Sequence, residues 1–277
     1  MSRKPNTQLF ALAHQPPAEL SVALRKWRLV KVFKHDFFAA TCLYEPVDGA
    51  GADGVFAAVV KFGRTQPFMG LPMQWYGRLV ASHERAIYER LAGIRGVPRW
   101  IGRLGQTGYA IEYICAVPLD HLSSPPAGFF DSLRKLMDEI HARGVGYCDA
   151  NKKSNILVSR DGLPHLVDYQ ISLMTRPMWP WPLRSIITAA VRRVQQKDIY
   201  HIYKHKRRLC PGEMRPDEIE LSYNRSWLHR LHRRVTKPYR AFRRWFLARQ
   251  HGSGRLVSPT QDLESHHQPE KETWRTR

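Results

Sequence analysis

The chain has 277 residues, with 44 Lys+Arg against 24 Asp+Glu, a formal net charge of +20 and 43% hydrophobic residues. This length predicts one or two domains with a real core, and the composition excludes a chain disordered throughout as well as collagen-like, coiled-coil and repeat proteins. Four cysteines, Cys42, Cys115, Cys148 and Cys210, form no CxxC pair, which excludes a disulfide scaffold and a cysteine zinc site and points to a reducing compartment.

The start, MSRKPNTQLF, leads into no apolar h-region, and no run of about 18 apolar residues occurs, so neither a signal peptide nor a spanning helix is expected. The expected location is the cytoplasm, including the inner face of the membrane. Charge is uneven. Residues 1–170 hold 21 basic and 15 acidic side chains (+6), residues 171–255 hold 20 and 5 (+15), and residues 256–277 hold 3 and 4 (−1). Most of the excess therefore lies outside the first 170 residues.

In chain order, 1–24 is expected to be an N-terminal extension. Residues 25–47 are rich in β-branched and aromatic side chains and predict one or two strands. The turn DGAGADG (48–54) and the apolar run VFAAVVKF (55–62) complete a hairpin, with Lys61 near its end. Helical period over 74–92 puts Val80, Ile87, Tyr88 and Leu91 on one face. RWIGRLGQ and TGYAIEYI predict a second hairpin, and SSPPAG (123–128) is a break. Residues 129–142 predict an amphipathic helix with Phe129, Leu133, Leu136 or Met137, and Ile140 inward. NILV (155–158), SRDG and PHLVDY (164–169) make a third hairpin, and the chain beyond Ile171 reads as mostly helical and basic. This order is α+β, with a small β-rich lobe and hinge over 25–117 and a mainly helical lobe over 118–210. A basic helical extension over 211–252 and a disordered tail over 253–277 follow.

His141 to Ser172 carries the chemistry. A helix ends and a loop presents Asp149; Lys152, Lys153 and Asn155 follow; a hairpin then delivers Asp168. Phosphoryl transfer uses such a set: a loop Asp orients or deprotonates the acceptor hydroxyl, an Asn and a second Asp hold Mg²⁺, and a Lys neutralises developing charge. Lys152 is the candidate for that last role.

The segment resembles the catalytic loop and metal-binding hairpin of the protein-kinase-like superfamily, over roughly residues 30–205, and is most similar to bacterial proteins related to the RIO and lipopolysaccharide (Kdo-type) kinases. The resemblance implies a two-lobed kinase-like fold with ATP between the lobes and Mg²⁺ on Asn155 and Asp168. It assigns Lys61 in AVVKF to the α/β-phosphates and Glu84 in SHERAIYERL to the helix glutamate. Glu84 shares the inward stripe of its helix, where an unpaired carboxylate costs several kcal/mol, and Lys61 is its natural partner. Glu89 instead follows Arg85 by one turn, as a surface pair. IEYI (111–114), with Glu112 and Ile114, resembles the hinge that holds adenine through backbone groups. Asp198 stands either where the family's bracing aspartate lies or on the surface.

Departures are informative. The turn before Lys61, HDFFAAT (35–41), has no glycine. HRD reads Tyr147-Cys148-Asp149, DFG reads Asp168-Tyr169-Gln170, Asn155 comes six residues after Asp149, and no APE motif follows. Cys148 reads as a small buried hydrophobe and Tyr147 as a packing residue in place of the family's His. These features imply a constitutively built kinase that transfers the γ-phosphate to a hydroxyl acceptor: a protein Ser/Thr, a lipopolysaccharide or other glycan, a lipid-linked sugar or a small metabolite. The alternative is a catalytically weak pseudokinase that binds nucleotide and a membrane or protein partner. The basic region, including KHKRR (204–208), reads as a solvated helical face, as peripheral contact with a membrane or anionic surface through 177–249, or as a nucleic-acid site through 192–249.

Overall fold

The computed structural model describes residues 7–49, 54–223, 241, 245, 249, 258–260 and 262–263. The chain forms two compact units. The first comprises Met1–Ser82, Ile101–Tyr113 and the described residues beyond Trp227; the second comprises His83–Trp100 and Ile114–Ser226.

The first unit is a six-stranded sheet of β1 (Glu19–Val22), β2 (Arg25–His35), β3 (Ala39–Pro46), β4 (Ala58–Gly63), β5 (Trp100–Leu104) and β6 (Gly108–Glu112), in the order β1-β2-β3-β4-β6-β5. β1 to β4, and β4 with β6, pair antiparallel. Alternation sets the buried face: Trp27, Val32, Cys42, Tyr44, Ala58, Val60 and Ala110 form its core. Trp27 is almost fully buried and donates its Nε1–H to Val22 O at 3.2 Å, so its polar atom enters the core satisfied. The sheet begins at Glu19, inside the stretch expected to be an extension.

The glycine-free turn between β2 and β3 is shaped by side chains. Asp36 Oδ1 accepts the N–H groups of Phe38 at 2.8 Å and Ala39 at 3.0 Å. Burial pushes the Asp36 carboxyl up, but Lys34 and these two N–H groups outweigh it and hold it below its ordinary value. Arg64, fully buried, donates to the carbonyls of Gln8, Phe10, Phe37 and Pro67 and stacks on the Phe37 ring at 3.9 Å. Here a fixed scaffold replaces glycine's freedom.

Residues 258–260, 262 and 263, within the stretch expected to be a disordered tail, are described and meet the first sheet. Thr260 is fully buried and meets His35 Nδ1 at 3.0 Å, Leu263 O accepts the Val32 N–H at 3.0 Å, and Leu263 packs against the core of the sheet. Local composition is polar there, but His35 and the backbone of β2 supply partners from far along the chain.

The division between the units falls within α1 (Gln74–Arg90). The second unit holds α2 (Phe129–Ala142), the sheet β10-β9-β7 made by β7 (Ala116–Pro118), β9 (Ile156–Ser159) and β10 (Pro164–Leu166), and the pair of β8 (Val145–Gly146) with β11 (Leu173–Met174). α3 (Trp181–Leu209) and α4 (Pro216–Tyr223) follow. α2 occupies the predicted span, and Phe129, Phe130, Leu133, Leu136, Met137 and Ile140 are its buried stripe. Gly96 has φ +99°, and a Cβ there would fall 2.7 Å from Pro164 O, so only glycine fits the loop after α1. With these elements the α+β class expected from the sequence is the observed one: a strand-built first unit and a mainly helical second unit.

The KHKRR stretch is part of α3 and is not simply solvated. Lys206 is 1% exposed and pairs with Asp131 at 2.9 Å and Glu218 at 2.9 Å, while Arg207 lies 3.7 Å over the Tyr223 ring. The rest of the basic region, 224–249, falls outside the described residues except for 241, 245 and 249. Among the described residues no helix is long and apolar enough to cross a membrane.

Candidate active site

The loop after β8 is built against α3. A Cβ on Gly146 would lie 2.7 Å from the Val194 side chain, so the helix comes directly onto the strand. Asp198 is buried; its Oδ2 accepts the Tyr147 N–H at 2.8 Å and meets His141 Nε2 at 3.2 Å. Burial raises the Asp198 carboxyl, and His141 and the N–H groups of Tyr147 and Cys148 pull it partly back. Gln195 donates to the carbonyls of His141 and Val145, His205 Nε2 to Ala150 O at 3.0 Å, and Lys204 to Asn151 Oδ1 at 2.5 Å. One helix thus grips the loop on both sides of Asp149. Of the two readings open for Asp198, the buried brace is the observed one.

That grip sustains unusual backbone. Cys148 has φ +67° and Asp168 φ +65°, left-handed positions that cost non-glycine residues on the order of 1 kcal/mol or more. Burial, reinforced by Asp198, pushes the Cys148 thiol up to about 12, so it is no nucleophile near neutral pH.

The carboxylates converge with their partners. Asp149 Oδ2 accepts the Asn155 amide at 2.8 Å and pairs with Lys152 Nζ at 2.7 Å. Burial is the largest influence on Asp149 and raises its carboxyl; the like charge of Asp168 adds to this, while Lys152 and Asn155 oppose it. Val167 N–H donates to Asn155 O at 3.1 Å, tying the hairpin that carries Asp168 to the loop that carries Asp149.

The residues flanking Asp168 are held by aromatic packing. Tyr169 meets Tyr147 at 5.1 Å and Tyr88 of α1 at 5.2 Å, both edge-on, and all three rings are buried. Tyr147 also donates its hydroxyl to Val167 O. Ser172, fully buried, donates to Tyr147 O at 2.8 Å, and its own carbonyl is 2.8 Å from His83 Nε2. A segment of only residues 169–180 then reaches α3.

The structure therefore brings together Asp149, Lys152 and Asn155, and places Asp168 close enough to raise the Asp149 carboxyl. Lys61 lies in β4 with Nζ 5.9 Å from the Tyr109 ring centroid, and Glu112 ends β6 opposite Ala58; both belong to the first unit. Glu84 (1% exposed) and Ile114 belong to the second. Glu89 pairs with Arg85 at 2.6 Å on the surface, as its spacing predicts. Gln195, Lys204, His205 and Ser172 were not singled out from the sequence. The spacing of Asp198, Ile202 and His205, at i, i+4 and i+7 in KDIYHIYKHKRR, is the signal that identifies the gripping face.

No protein family matches the chain. No curated protein matches it. Among solved structures, it is similar to the Rio2 kinase from Chaetomium thermophilum, at 16% identity over 70% of this chain and 62% of that one, with a TM-score of 0.48. The Rio2 kinase–ADP/Mg²⁺–phosphoaspartate complex from the same organism is similar at 15% identity over 70% and 61%, with a TM-score of 0.45. The BubR1 kinase domain is similar at 16% identity over 73% and 67%, with a TM-score of 0.47. The chain thus spans about three fifths of the length of the Rio2 structures.

Proposed function

We propose that this protein is an ATP- and Mg²⁺-dependent phosphotransferase of kinase-like type that passes the γ-phosphate to a hydroxyl acceptor. The observation that carries this is the convergence of Lys152 and Asn155 on one oxygen of Asp149, beside the second carboxylate Asp168. A buried loop carboxylate with a raised pKa is a stronger base than a solvated one and sits within a set that handles phosphate charge. In the proposed step the acceptor oxygen attacks the γ-phosphorus, the bond to the β-phosphate oxygen breaks, and Asp149 takes the hydroxyl proton.

The donor set fits Mg²⁺. Asn155 gives its Nδ2 to Asp149, so the amide oxygen of Asn155, with the Asp168 carboxylate, would serve as the hard oxygen ligands. Mg²⁺ characteristically takes one or two carboxylates and completes its shell with water and phosphate. When bound, it would supply positive charge that neutralises the phosphates. Lys61 and Glu84 are assigned to fixing the phosphates, and Glu112 and Ile114 to the adenine. The short link from Asp168 to α3 favours a glycan or small-molecule hydroxyl over a protein Ser/Thr as acceptor.

The test is a pair of variants. Asp149→Asn should abolish phosphate transfer while MgATP still raises the melting temperature, and Asp168→Ala should remove the Mg²⁺-dependent part of that rise. Normal ATP turnover by both variants would overturn the assignment.

The pinned turn over 35–39 and the held segment after Asp168 favour a second reading, a pseudokinase whose nucleotide pocket serves binding. That reading predicts stabilisation by MgATP with no transfer by the unaltered protein to any acceptor fraction.

A further inference from the structure

Residues 177–186, PMWPWPLRSI, are exposed without a break, from the loop before α3 through its first turns. The run carries Met178 (93% exposed), Trp179, Trp181 (72%), Leu183 and Ile186 (66%), and Ile171 nearby is also exposed. Large apolar side chains gathered on a surface mark an interaction site. Between Asp168 and Asp198 the sequence has no acidic residue and five basic ones, Arg176, Arg184, Arg192, Arg193 and Lys197. Four of these, all but Arg176, are exposed.

We propose that this ridge docks the protein on a lipid bilayer that carries anionic headgroups. The chemistry selects that occupant. Tryptophans suit the boundary between headgroup and acyl chain, Met, Leu and Ile suit the apolar depth beneath it, and the arginines suit the headgroup charge. A second copy would bring the same set of exposed basic side chains and repel it. Nucleic acid would offer phosphates to the arginines and base faces to the tryptophans, but not the continuous apolar depth that Leu183, Ile186 and Met178 together suit. The ridge leads directly from the catalytic loop: Ile171 comes three residues after Asp168, and β11 pairs Leu173 with Gly146, three residues before Asp149. The docking goes beyond the proposed phosphotransfer and does not depend on it. If both hold, hydroxyls displayed at the membrane surface come within reach of Asp149.

The test uses the full chain, sedimented with vesicles of phosphatidylcholine alone or mixed with phosphatidylserine. The expected result is binding to the mixed vesicles only, weakening as salt rises. The double variant Trp181→Glu, Ile186→Glu should lower vesicle partition by at least about tenfold, with an unchanged circular dichroism spectrum and the same MgATP stabilisation as the parent. No binding to mixed vesicles at low salt overturns the proposal, as does equal binding by the variant, which would place the affinity in basic residues elsewhere. Dimer formation that Ile186→Glu abolishes, without vesicle binding, would assign the ridge to a second copy instead. Vesicle binding without any MgATP stabilisation would leave docking standing and remove the phosphotransferase reading, so the two fail separately.

Discussion

Asn155 donates its side-chain amide to Asp149 Oδ2 across 2.8 Å, despite the loop's carrying one residue more than the kinase-like pattern. Asn155 closes the short 3₁₀ turn Lys153–Asn155, and from there its amide meets the carboxylate. Because the Asp149 pKa is raised above 3.8, its ionised form is a net cost to the fold at neutral pH. Asp149→Asn should therefore leave stability within about 1 kcal/mol of the parent while eliminating transfer. Chemical unfolding and a transfer assay check the two halves. In the parent, transfer should rise with pH through a single ionisation lying above the ordinary aspartate range.

Asp198 is expected to matter to the fold more than its absence from any reacting group suggests. Asp198→Ala removes the acceptor for the buried Tyr147 N–H and the partner of His141. Stranding such groups should cost about 2–4 kcal/mol, measurable as a lower urea midpoint. Asp198→Asn should cost less, since a side-chain oxygen remains and the desolvated charge is gone.

Much of this architecture stands in the sequence because it is encoded locally. The helix 129–142 repeats its apolar residues with helical period, and 156–166 alternates around a turn-forming SRDG. β1 does not announce itself. Its connection to β2 is the pair Ala23-Leu24, both at positive φ (+50° and +61°), where a hairpin signal would have glycine or asparagine. Arg64 and Thr260 are invisible for another reason: their partners are carbonyls and a histidine brought close only by the finished fold. The same holds within the site. Asp149, Asn155 and Asp168 follow a spacing, whereas His205, Gln195 and Ser172 act on backbone groups some 25 to 55 residues away.

His205 links the loop to acid stability. Burial, helped by Lys204, lowers its pKa from 6.5 to about 4. A base with a depressed folded pKa favours the unfolded chain once that chain is protonated. Its stabilising contribution is thus complete above about pH 6.5 and lost as pH falls toward 4, on the order of 3 kcal/mol in all. His205→Gln should flatten the fall in melting temperature over that window.

Arg64 is predicted to be the most sensitive position of the sheet. Arg64→Met strands four carbonyls that the guanidinium satisfies. The loss should be about 3–5 kcal/mol by urea unfolding. Arg64→Lys should recover only part of it, because one ammonium cannot reproduce a planar fork.

The seating of Thr260 and Leu263 on the first sheet also has a temporal side. Val32 gives its N–H to Leu263, and His35 waits for Thr260. At ordinary ribosomal speeds the partner emerges on the order of ten to several tens of seconds after the strand that needs it. The first sheet is therefore completed only after the whole of the second unit has been made. Until then β2 must be kept from pairing elsewhere by its neighbours alone.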